Sequence, residues 1–331
     1  MGLLGLPVPH FRHGLPPMTD RRRPLAVTMG DPAGIGPEIA CKAFVDPALA
    51  GVEVVLVASR AVIVEHAAKM GLSVPRRIID IGAPAVPVTL GSVQQEAGRL
   101  SALCIEAAIS GSRDGSFAGV VTAPISKSAI HLAGVPFPGH TEWLAARCGV
   151  QGEAMLMYDP ALAVALATCH QPLMSVAATL TTARIIEVGR LLAAALGRLR
   201  SGPVRLAVCG LNPHAGEDGL LGHEDAALVA PAVAELRRLG IPCDGPLPAD
   251  TAFTPANRAR YTGYIALYHD QGLIPFKALY VDTGVNVSLG LPIVRTSVDH
   301  GTAFNIAGQG IADHRSLVEA ILLAARLAGN P

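Results

Sequence analysis

Residues 25–38 read LAVTM-GDPAGIGPE, a largely apolar run that passes directly into a glycine-rich turn. The run predicts a buried strand, and Pro37 suits the first position of a following helix because that position needs no N–H donor. In a strand-turn-helix unit the N–H groups at the helix N-terminus have no partner within the helix, so they can bind an anion. The glycine order is neither GxGxxG nor a Walker loop, so a tight strand-to-helix turn is an equal alternative.

Four further apolar runs repeat the pattern of the first strand, at 52–57, 119–122, 204–209 and 264–268. Such runs are typical of strands covered on both faces in a parallel or mixed sheet. Helical patterns lie between them. One has a capping-box spacing at Ser92 and Gln95 and an expected end at Gly111, and another extends from Asp225 to Gly240. The sequence therefore predicts the α/β class.

The composition excludes several classes of protein. Half of the residues are hydrophobic and 16% are charged, which is enough apolar material for a large core and argues against disorder. The chain has 26 Lys and Arg against 26 Asp and Glu, so no net charge attracts it to nucleic acid or to a membrane surface. No apolar run reaches the roughly 18 residues of a membrane helix, and we expect a soluble enzyme.

The six cysteines stand apart in the sequence without a CxxC pair. We expect free, buried thiols and a reducing, cytoplasmic location. Residues 1–23 are predicted to be a disordered extension, since the apolar part is short, broken by proline and followed by its arginines. Met18 stands just before the first strand, so we hypothesise that residues 1–17 are dispensable.

Four histidines each follow a strand-like run or lie in a turn: His140 (in PGHTE), His170, His214 (in NPHAGE) and His269 (in YHDQG). Neutral imidazole is the commonest metal ligand, and three of them form an open site. A hydrogen-bonded loop histidine is the simpler alternative for each one alone. Three histidines at the ends of three strands are better evidence for a metal site, because the strand ends of an open α/β sheet border one crevice.

Two other groups of residues suggest ligand binding. Lys277, Asn286 and Arg295 are spaced about nine residues apart across an expected strand-turn-strand stretch, with Asp250 upstream. They can converge on a phosphate or a carboxylate, and solvated surface is the alternative. The segment DHGTA (299–303) has a glycine beside His300, which suits close approach of the backbone to a flat ligand such as adenine; a hairpin turn would also serve.

From about Pro24 to its C-terminus the chain resembles the 4-hydroxythreonine-4-phosphate dehydrogenase family of pyridoxal phosphate biosynthesis. Six blocks in order carry the resemblance: TMGDPAGIGPE (28–38), PGHTE (138–142), CGLNPHAGE (209–217), LPADTAF (247–253), YHDQGL (268–273) and GLPIVRTSVDHGTAFNIAGQG (290–310).

The resemblance implies an isocitrate/isopropylmalate-dehydrogenase-like fold, with two α/β domains and the active site in the cleft between them. The first domain would be residues 24–130 plus 302–331, and residues 131–301 would form the second domain and the contact of a homodimer.

The resemblance also implies roles for particular residues. His170, His214 and His269 would bind one divalent metal ion (Zn, Mg or Co), with one histidine coming from the partner subunit. The residues expected to hold the phosphorylated substrate are His140, Thr141, Lys277, Asn286 and Arg295. The loop of His300, Gly301, Thr302 and Ala303 is similar to the loop that holds the adenosine of NAD or NADP in these dehydrogenases. Asp250 falls in the site as well.

The implied reaction is oxidation of 4-phosphooxy-L-threonine at C3, with the metal acting as a Lewis acid and the nicotinamide as hydride acceptor. The resulting β-keto acid would lose carbon dioxide to give 3-amino-2-oxopropyl phosphate. We hypothesise that Lys277 and Asp250 transfer the proton.

Three alternatives remain open. A paralogous branch oxidises D-erythronate or D-threonate 4-phosphate; a metal-dependent hydrolase or isomerase could use the same histidines; and a pure binding module would leave the metal and acid/base groups unexplained.

Overall fold

The computed structural model describes residues 23–329, which fall into two compact units. Unit 1 joins the described chain up to Gln151 with the C-terminal stretch from Leu291, and unit 2 is Gly152–Gly290. These boundaries differ from the predicted ones at 130/131 and 301/302. Residues 140–148 belong to unit 1 because Trp143 packs into its core, and residues 294–298 belong there because they pair with one of its strands.

The eleven strands among residues 23–329 are β1 (Leu25–Thr28), β2 (Val54–Ala58), β3 (Ile78–Asp80), β4 (Gly119–Thr122), β5 (Ala154–Asp159), β6 (Leu162–Leu166), β7 (Leu206–Cys209), β8 (Cys243–Leu247), β9 (Gly263–Ala266), β10 (Val285–Leu289) and β11 (Val294–Val298). The α-helices in the same range are α1 (Gly36–Ala43), α2 (Arg60–Met70), α3 (Gln95–Arg113), α4 (Lys127–Leu132), α5 (His140–Cys148), α6 (Leu173–Thr179), α7 (Thr182–Leu199), α8 (Ala230–Arg238), α9 (Ala249–Ala252), α10 (Pro255–Arg260), α11 (His269–Tyr280) and α12 (Arg315–Leu327).

The strands of unit 1 are all parallel and have the order β3-β2-β1-β4-β11. Every residue of β1 and β4 is buried, as expected for strands covered by helices on both faces. Among the covering helices, α3 lies against β1 and α12 against β11, where the hydroxyl of Thr296 donates to the carbonyl of Ala320 over 2.7 Å. The predicted parallel arrangement is confirmed.

Unit 2 has a mixed set of strands in the order β10-β5-β6-β9-β7-β8. β5 is antiparallel to both of its neighbours, β10 and β6, whereas β6, β9, β7 and β8 are parallel to one another. Its core contains the fully buried side chains of Tyr264 and Phe276. The carboxyl ends of β6, β9 and β7 therefore lie side by side, which places the loops that follow them close together.

Two helix predictions need correction in detail. Helix α3 begins at Gln95, but no side chain caps it; the amide of Gln94 instead accepts from the backbone of Thr89 and donates to the Ser92 hydroxyl over 3.0 Å. The helix also continues past Gly111 to Arg113, and the glycine instead leaves room for the ring of Phe117. The helix predicted from Asp225 to Gly240 opens with a π-helical turn, Asp225–Val229, before α8.

The prediction of free thiols is confirmed, since all six cysteines are unpaired. Burial raises the pKa of the Cys104 and Cys209 thiols to about 12, so neither is a reactive thiolate. Within residues 23–329 no helix is both long and apolar enough to span a membrane. The predicted extension lies outside the described residues except for Arg23.

Candidate active site

Arg295 on β11 is a buried cation in unit 1. Its side chain is 3% exposed, and Nη2 donates to the Thr122 hydroxyl on β4 over 2.8 Å. Burial lowers the pKa of the guanidinium to about 10, which still leaves it charged near neutral pH. The strand pairing therefore holds a permanent positive charge in one fixed place.

His140 is the first residue of α5, and it lies in the electrostatic field of Arg295 and Lys127. Burial, reinforced by these two cations, lowers the pKa of the imidazole well below its ordinary value. Its Nε2 has no hydrogen-bond partner among the described residues. His140 is therefore a neutral ring with a nitrogen available to a ligand, and the half-buried Thr141 follows it in the first turn of α5.

Helix α5 is held in place through Trp143 and Arg147. The indole of Trp143 donates to Glu106 on α3 over 2.8 Å, and the guanidinium of Arg147 binds the same carboxylate. Phe137 stacks on Trp143 at a ring-centroid distance of 5.9 Å. The contacts of Trp143 and Arg147 with Glu106 thus fix the position of the helix that begins with His140.

Lys127, the first residue of α4, was missed by the sequence analysis. Its exposed ammonium makes no hydrogen bond or ion pair with residues 23–329, and it lies beside a cavity of about 610 Å³ lined also by His131, Phe137 and Pro138. A side-chain carbon placed on Gly139 would come within 3.8 Å of Lys127 Cε. Nothing in the local sequence separates this lysine from ordinary surface, since only the tertiary structure brings it to the PGHTE block.

In unit 2, His170 follows β6 and His269 follows β9. Because these strands are neighbours, the two rings come to a centroid distance of 5.8 Å. His269 Nδ1 is 2.7 Å from a carboxylate oxygen of Asp270, an arrangement that orients the ring and leaves Nε2 for a ligand. The structure brings together two of the three histidines predicted to bind metal.

His214 follows β7, in a loop with a strained backbone. His214, Ala215, Glu217 and Asp218 all have positive φ angles, between 43° and 55°. The carboxylate of Asp225, 1% exposed, accepts from the backbone N–H groups of residues 211 and 212 over 2.7 and 2.9 Å. Positive φ in non-glycine residues costs about 1–3 kcal/mol each and occurs mostly at functional sites.

Within the described part of one chain, no group of three His, Cys, Asp or Glu side chains is arranged to hold a metal ion. Two neighbouring imidazoles, His170 and His269, still match the chemistry of a divalent site with nitrogen ligands.

The remaining predicted residues of unit 2 are Asp250, Lys277 and Asn286. Asp250 is exposed on α9, and Asn286 lies on β10 opposite Met157. Lys277 lies on α11 rather than on a strand, so the predicted strand-turn-strand arrangement is wrong at this position. The run 269–280 forms a helix because β9 ends at Ala266 and the chain must return along the sheet.

The loop 299–303 in unit 1 has features of a ligand cradle. A side-chain carbon on Gly301 would meet nothing within 4 Å, so the backbone there faces open space. The Nε2 atom of His300 is buried and has no hydrogen-bond partner among the described residues. Ala303 adopts the left-handed conformation, with φ 44°. An open backbone beside an unsatisfied imidazole nitrogen fits a flat heteroaromatic group.

In the turn 30–38, most of the N–H groups before α1 are bonded within the protein. The N–H groups of Asp31, Gly34 and Ile35 donate to carbonyls of the protein, and that of Ala33 donates to the Asp31 carboxylate over 2.8 Å. A side-chain carbon on Gly36 would lie 2.2 Å from the Met29 carbonyl. The turn is thus tightly packed, which favours the tight-turn alternative.

Comparison with known proteins agrees with the predicted family. The family described as "Pyridoxal phosphate biosynthetic protein PdxA" matches residues 43–324. A 4-hydroxythreonine-4-phosphate dehydrogenase from Chromobacterium violaceum is 44% identical, covering 94% of this chain and 98% of that protein. A D-threonate 4-phosphate dehydrogenase from Bordetella bronchiseptica is 43% identical, covering 92% of each.

Solved structures give the same result. The crystal structure of a 4-hydroxythreonine-4-phosphate dehydrogenase from Klebsiella pneumoniae matches with a TM-score of 0.83 and 40% identity, over 92% of this chain and 99% of that one. An isocitrate dehydrogenase from Methylococcus capsulatus is similar in fold alone, with 14% identity, a TM-score of 0.50 and coverage of 93% and 86%. The predicted fold class is confirmed, and the chain is an oxidoreductase that belongs to the pyridoxal phosphate biosynthetic protein PdxA family.

Proposed function

We propose that this chain oxidises 4-phosphooxy-L-threonine at C3 to 2-amino-3-oxo-4-phosphooxybutanoate, in the biosynthesis of pyridoxal 5′-phosphate. The product is a β-keto acid, which loses carbon dioxide to give 3-amino-2-oxopropyl phosphate. One observation carries the proposal most directly: a buried guanidinium, Arg295, is fixed beside the neutral ring of His140 at the start of α5.

The charges around α5 suit an anionic substrate. Arg295 and Lys127 are cations, whereas Glu142 is the carboxylate that acts on Arg295, so the group carries net positive charge. A guanidinium offers a planar pair of donors to phosphate or carboxylate, and a lysine adds a point charge. His140 and Thr141 add neutral polar groups. Lys277 and Asn286 are proposed as further substrate ligands.

His170 and His269 are proposed as metal ligands from one chain, with His214 as the third histidine of the set. We propose a homodimer in which one histidine of each metal site comes from the partner subunit, because within residues 23–329 of one chain His170 and His269 lie together without a third metal-ligating side chain beside them. Asp270 orients His269, and Asp225 fixes the backbone that precedes His214. The six free cysteines support a cytoplasmic location.

The loop of His300, Gly301, Thr302 and Ala303 is proposed to hold the adenosine part of NAD or NADP. When bound, the divalent ion (Zn, Mg or Co) polarises the C3 oxygen and the nicotinamide accepts the hydride. Lys277 and Asp250 are proposed to move the hydroxyl proton and to protonate the carbon left after decarboxylation. If Lys277→Ala raised the KM but kept the maximal rate, Lys277 would only bind phosphate.

A second candidate substrate is D-threonate or D-erythronate 4-phosphate. The Bordetella relative named for D-threonate 4-phosphate is nearly as similar to this chain as the first relative described above. Both substrates carry a phosphate and an oxidisable hydroxyl, so the cation group around Arg295 suits either one.

The deciding experiment is to follow reduction of NAD and of NADP with each of the three phosphorylated substrates, before and after chelation of metal. Turnover of 4-phosphooxy-L-threonine alone, lost on chelation and restored by a divalent ion, is the expected result. Turnover of D-threonate or D-erythronate 4-phosphate alone would instead support the second candidate function. No reduction with any substrate would contradict both.

A further inference from the structure

The segment 299–312 includes the loop proposed to hold adenosine. The C-terminal end of this segment, residues 310–312, is hydrogen-bonded to helix α1. Lys42 donates to the carbonyls of Gly310 and Ala312 over 2.9 and 2.7 Å. The carboxylate of Glu38 accepts from the N–H of Ala312 over 2.7 Å and pairs with Lys42 over 2.7 Å. Two side chains on one helix face thus bind three backbone groups of a segment some 270 residues later in the chain.

This contact is buried and charged. The side chain of Glu38 is 0% exposed and that of Lys42 18%. A buried ion pair contributes little net stability compared with an apolar pair of the same volume, and its value lies in fixing one geometry. Hydrogen bonds with a charged partner are also about twice as strong as neutral ones. The pair is therefore suited to hold the segment in one position.

The same part of unit 1 supports the other end of the segment. The N–H of Ile35 donates to the Thr302 carbonyl over 3.0 Å, and a side-chain carbon on Gly34 would lie 2.7 Å from that oxygen. Glycine at 34 is thus required for close contact of two backbones. The glycine-rich turn and α1 thus contact the segment near both of its ends, at Thr302 and at residues 310–312.

We propose that Glu38 and Lys42 are positioning residues for dinucleotide binding, because they hold the 299–312 segment in the conformation that receives the adenosine. The inference rests on the proposed function of His300–Ala303. Neither side chain is assigned a contact with the cofactor. Losing the Lys42 bonds would free residues 310–312, and the loop at 300–303 would have to be ordered when the ligand binds.

The test compares Lys42→Met with Lys69→Met, an exposed lysine on α2 that serves as the matched control. The first measurement is amide hydrogen exchange of the ligand-free protein. Lys42→Met should speed exchange in residues 301–312 by about tenfold, and Lys69→Met should leave it unchanged. Unchanged exchange in Lys42→Met would overturn the proposal.

The second measurement is the dissociation constant for NAD and for NADP by calorimetry, without substrate. The Lys42→Met constant should rise about tenfold, the effect of losing roughly one charge-assisted hydrogen bond, while the substrate KM at saturating cofactor changes by less than about twofold. Equal effects on cofactor and substrate would indicate a general structural defect and contradict the proposal. If Lys42→Met does not fold, the milder Glu38→Gln replaces it with the same two readouts.

The two measurements separate this inference from the proposed function. If the wild-type protein binds neither dinucleotide, the proposed function fails, and faster exchange in Lys42→Met then shows only a structural attachment. If the wild type binds NAD or NADP and Lys42→Met binds it equally well, the cofactor role of the pair is wrong although the proposed function stands.

Discussion

The guanidinium of Arg295 lies 2.8 Å from the hydroxyl of Thr122, on the neighbouring parallel strand, although the two residues are 173 positions apart in the sequence. Thr122→Val should leave a buried charged donor without this acceptor. We expect the free energy of unfolding to fall by about 2 kcal/mol and the substrate KM to rise, measured by urea denaturation and steady-state kinetics. Thr122→Ser keeps the hydroxyl and is the control. Equal free energies of unfolding for Thr122→Val and the wild type would show that the hydrogen bond between Arg295 and Thr122 makes no net contribution to stability.

The buried carboxyl of Asp31 should make the free energy of unfolding decrease as the pH rises from about 4 to about 6. It is 0% exposed, and burial raises the pKa of its carboxyl from 3.8 to about 6, although the N–H of Ala33 partly offsets this. Below about pH 4 the carboxyl is neutral in both the folded and unfolded states, so it contributes nothing. As the pH rises to about 6, the unfolded state loses its proton first, and stability falls by about 3 kcal/mol.

Asp31→Asn removes this ionisation and should stabilise the protein above about pH 6 by up to about 3 kcal/mol. The advantage should vanish below about pH 4, where wild type and variant carry the same charge. Urea denaturation of both proteins at the two pH values measures it. A variant less stable than wild type at neutral pH would mean that the ionised carboxylate is favoured in the fold.

Lys127 should affect substrate binding more than turnover. Lys127→Met removes one cation from the group around His140, so we expect the KM for the phosphorylated substrate to rise about tenfold with kcat nearly unchanged. The pKa of His140, which Lys127 helps to lower, should rise towards its ordinary value in a magnetic resonance titration. Lys69→Met is again the control. An unchanged KM would exclude Lys127 from the substrate site.

Asp270 should matter for metal affinity through His269. Asp270→Ala removes the carboxylate that orients the imidazole, and loss of such a partner typically weakens metal binding about 10- to 100-fold. Calorimetric titration of metal-free protein with Zn²⁺ or Co²⁺ measures this effect directly. Asp282→Ala, an exposed aspartate on the same unit, is the matched control. Equal affinities for the two variants would remove Asp270 from the metal site.

Local sequence predicted most of the elements. The apolar runs at 25–29 and 119–122 form β1 and β4, and α1 begins at Gly36, one residue before the predicted first position at Pro37. Helix ends were predicted less well, because Gly111 looks like a helix stop and in fact makes room for Phe117 from outside the helix. Lys277 was expected in a strand-turn-strand stretch with Asn286 and Arg295, yet helix α11 contains it.

The sequence by itself determined the family, the α/β class and the identity of the candidate ligands. Short motifs are enough to identify the family, the fold class and the candidate ligands, because each of these depends on residue type and on spacing along the chain. The tertiary structure decided which of those residues meet: His170 comes beside His269, and Lys127 comes beside Gly139. It also brings the turn 30–38 against the 299–312 segment, through the bond from the Ile35 N–H to the Thr302 carbonyl. These relationships depend on strand order and burial, which join residues far apart in the chain and leave no local pattern.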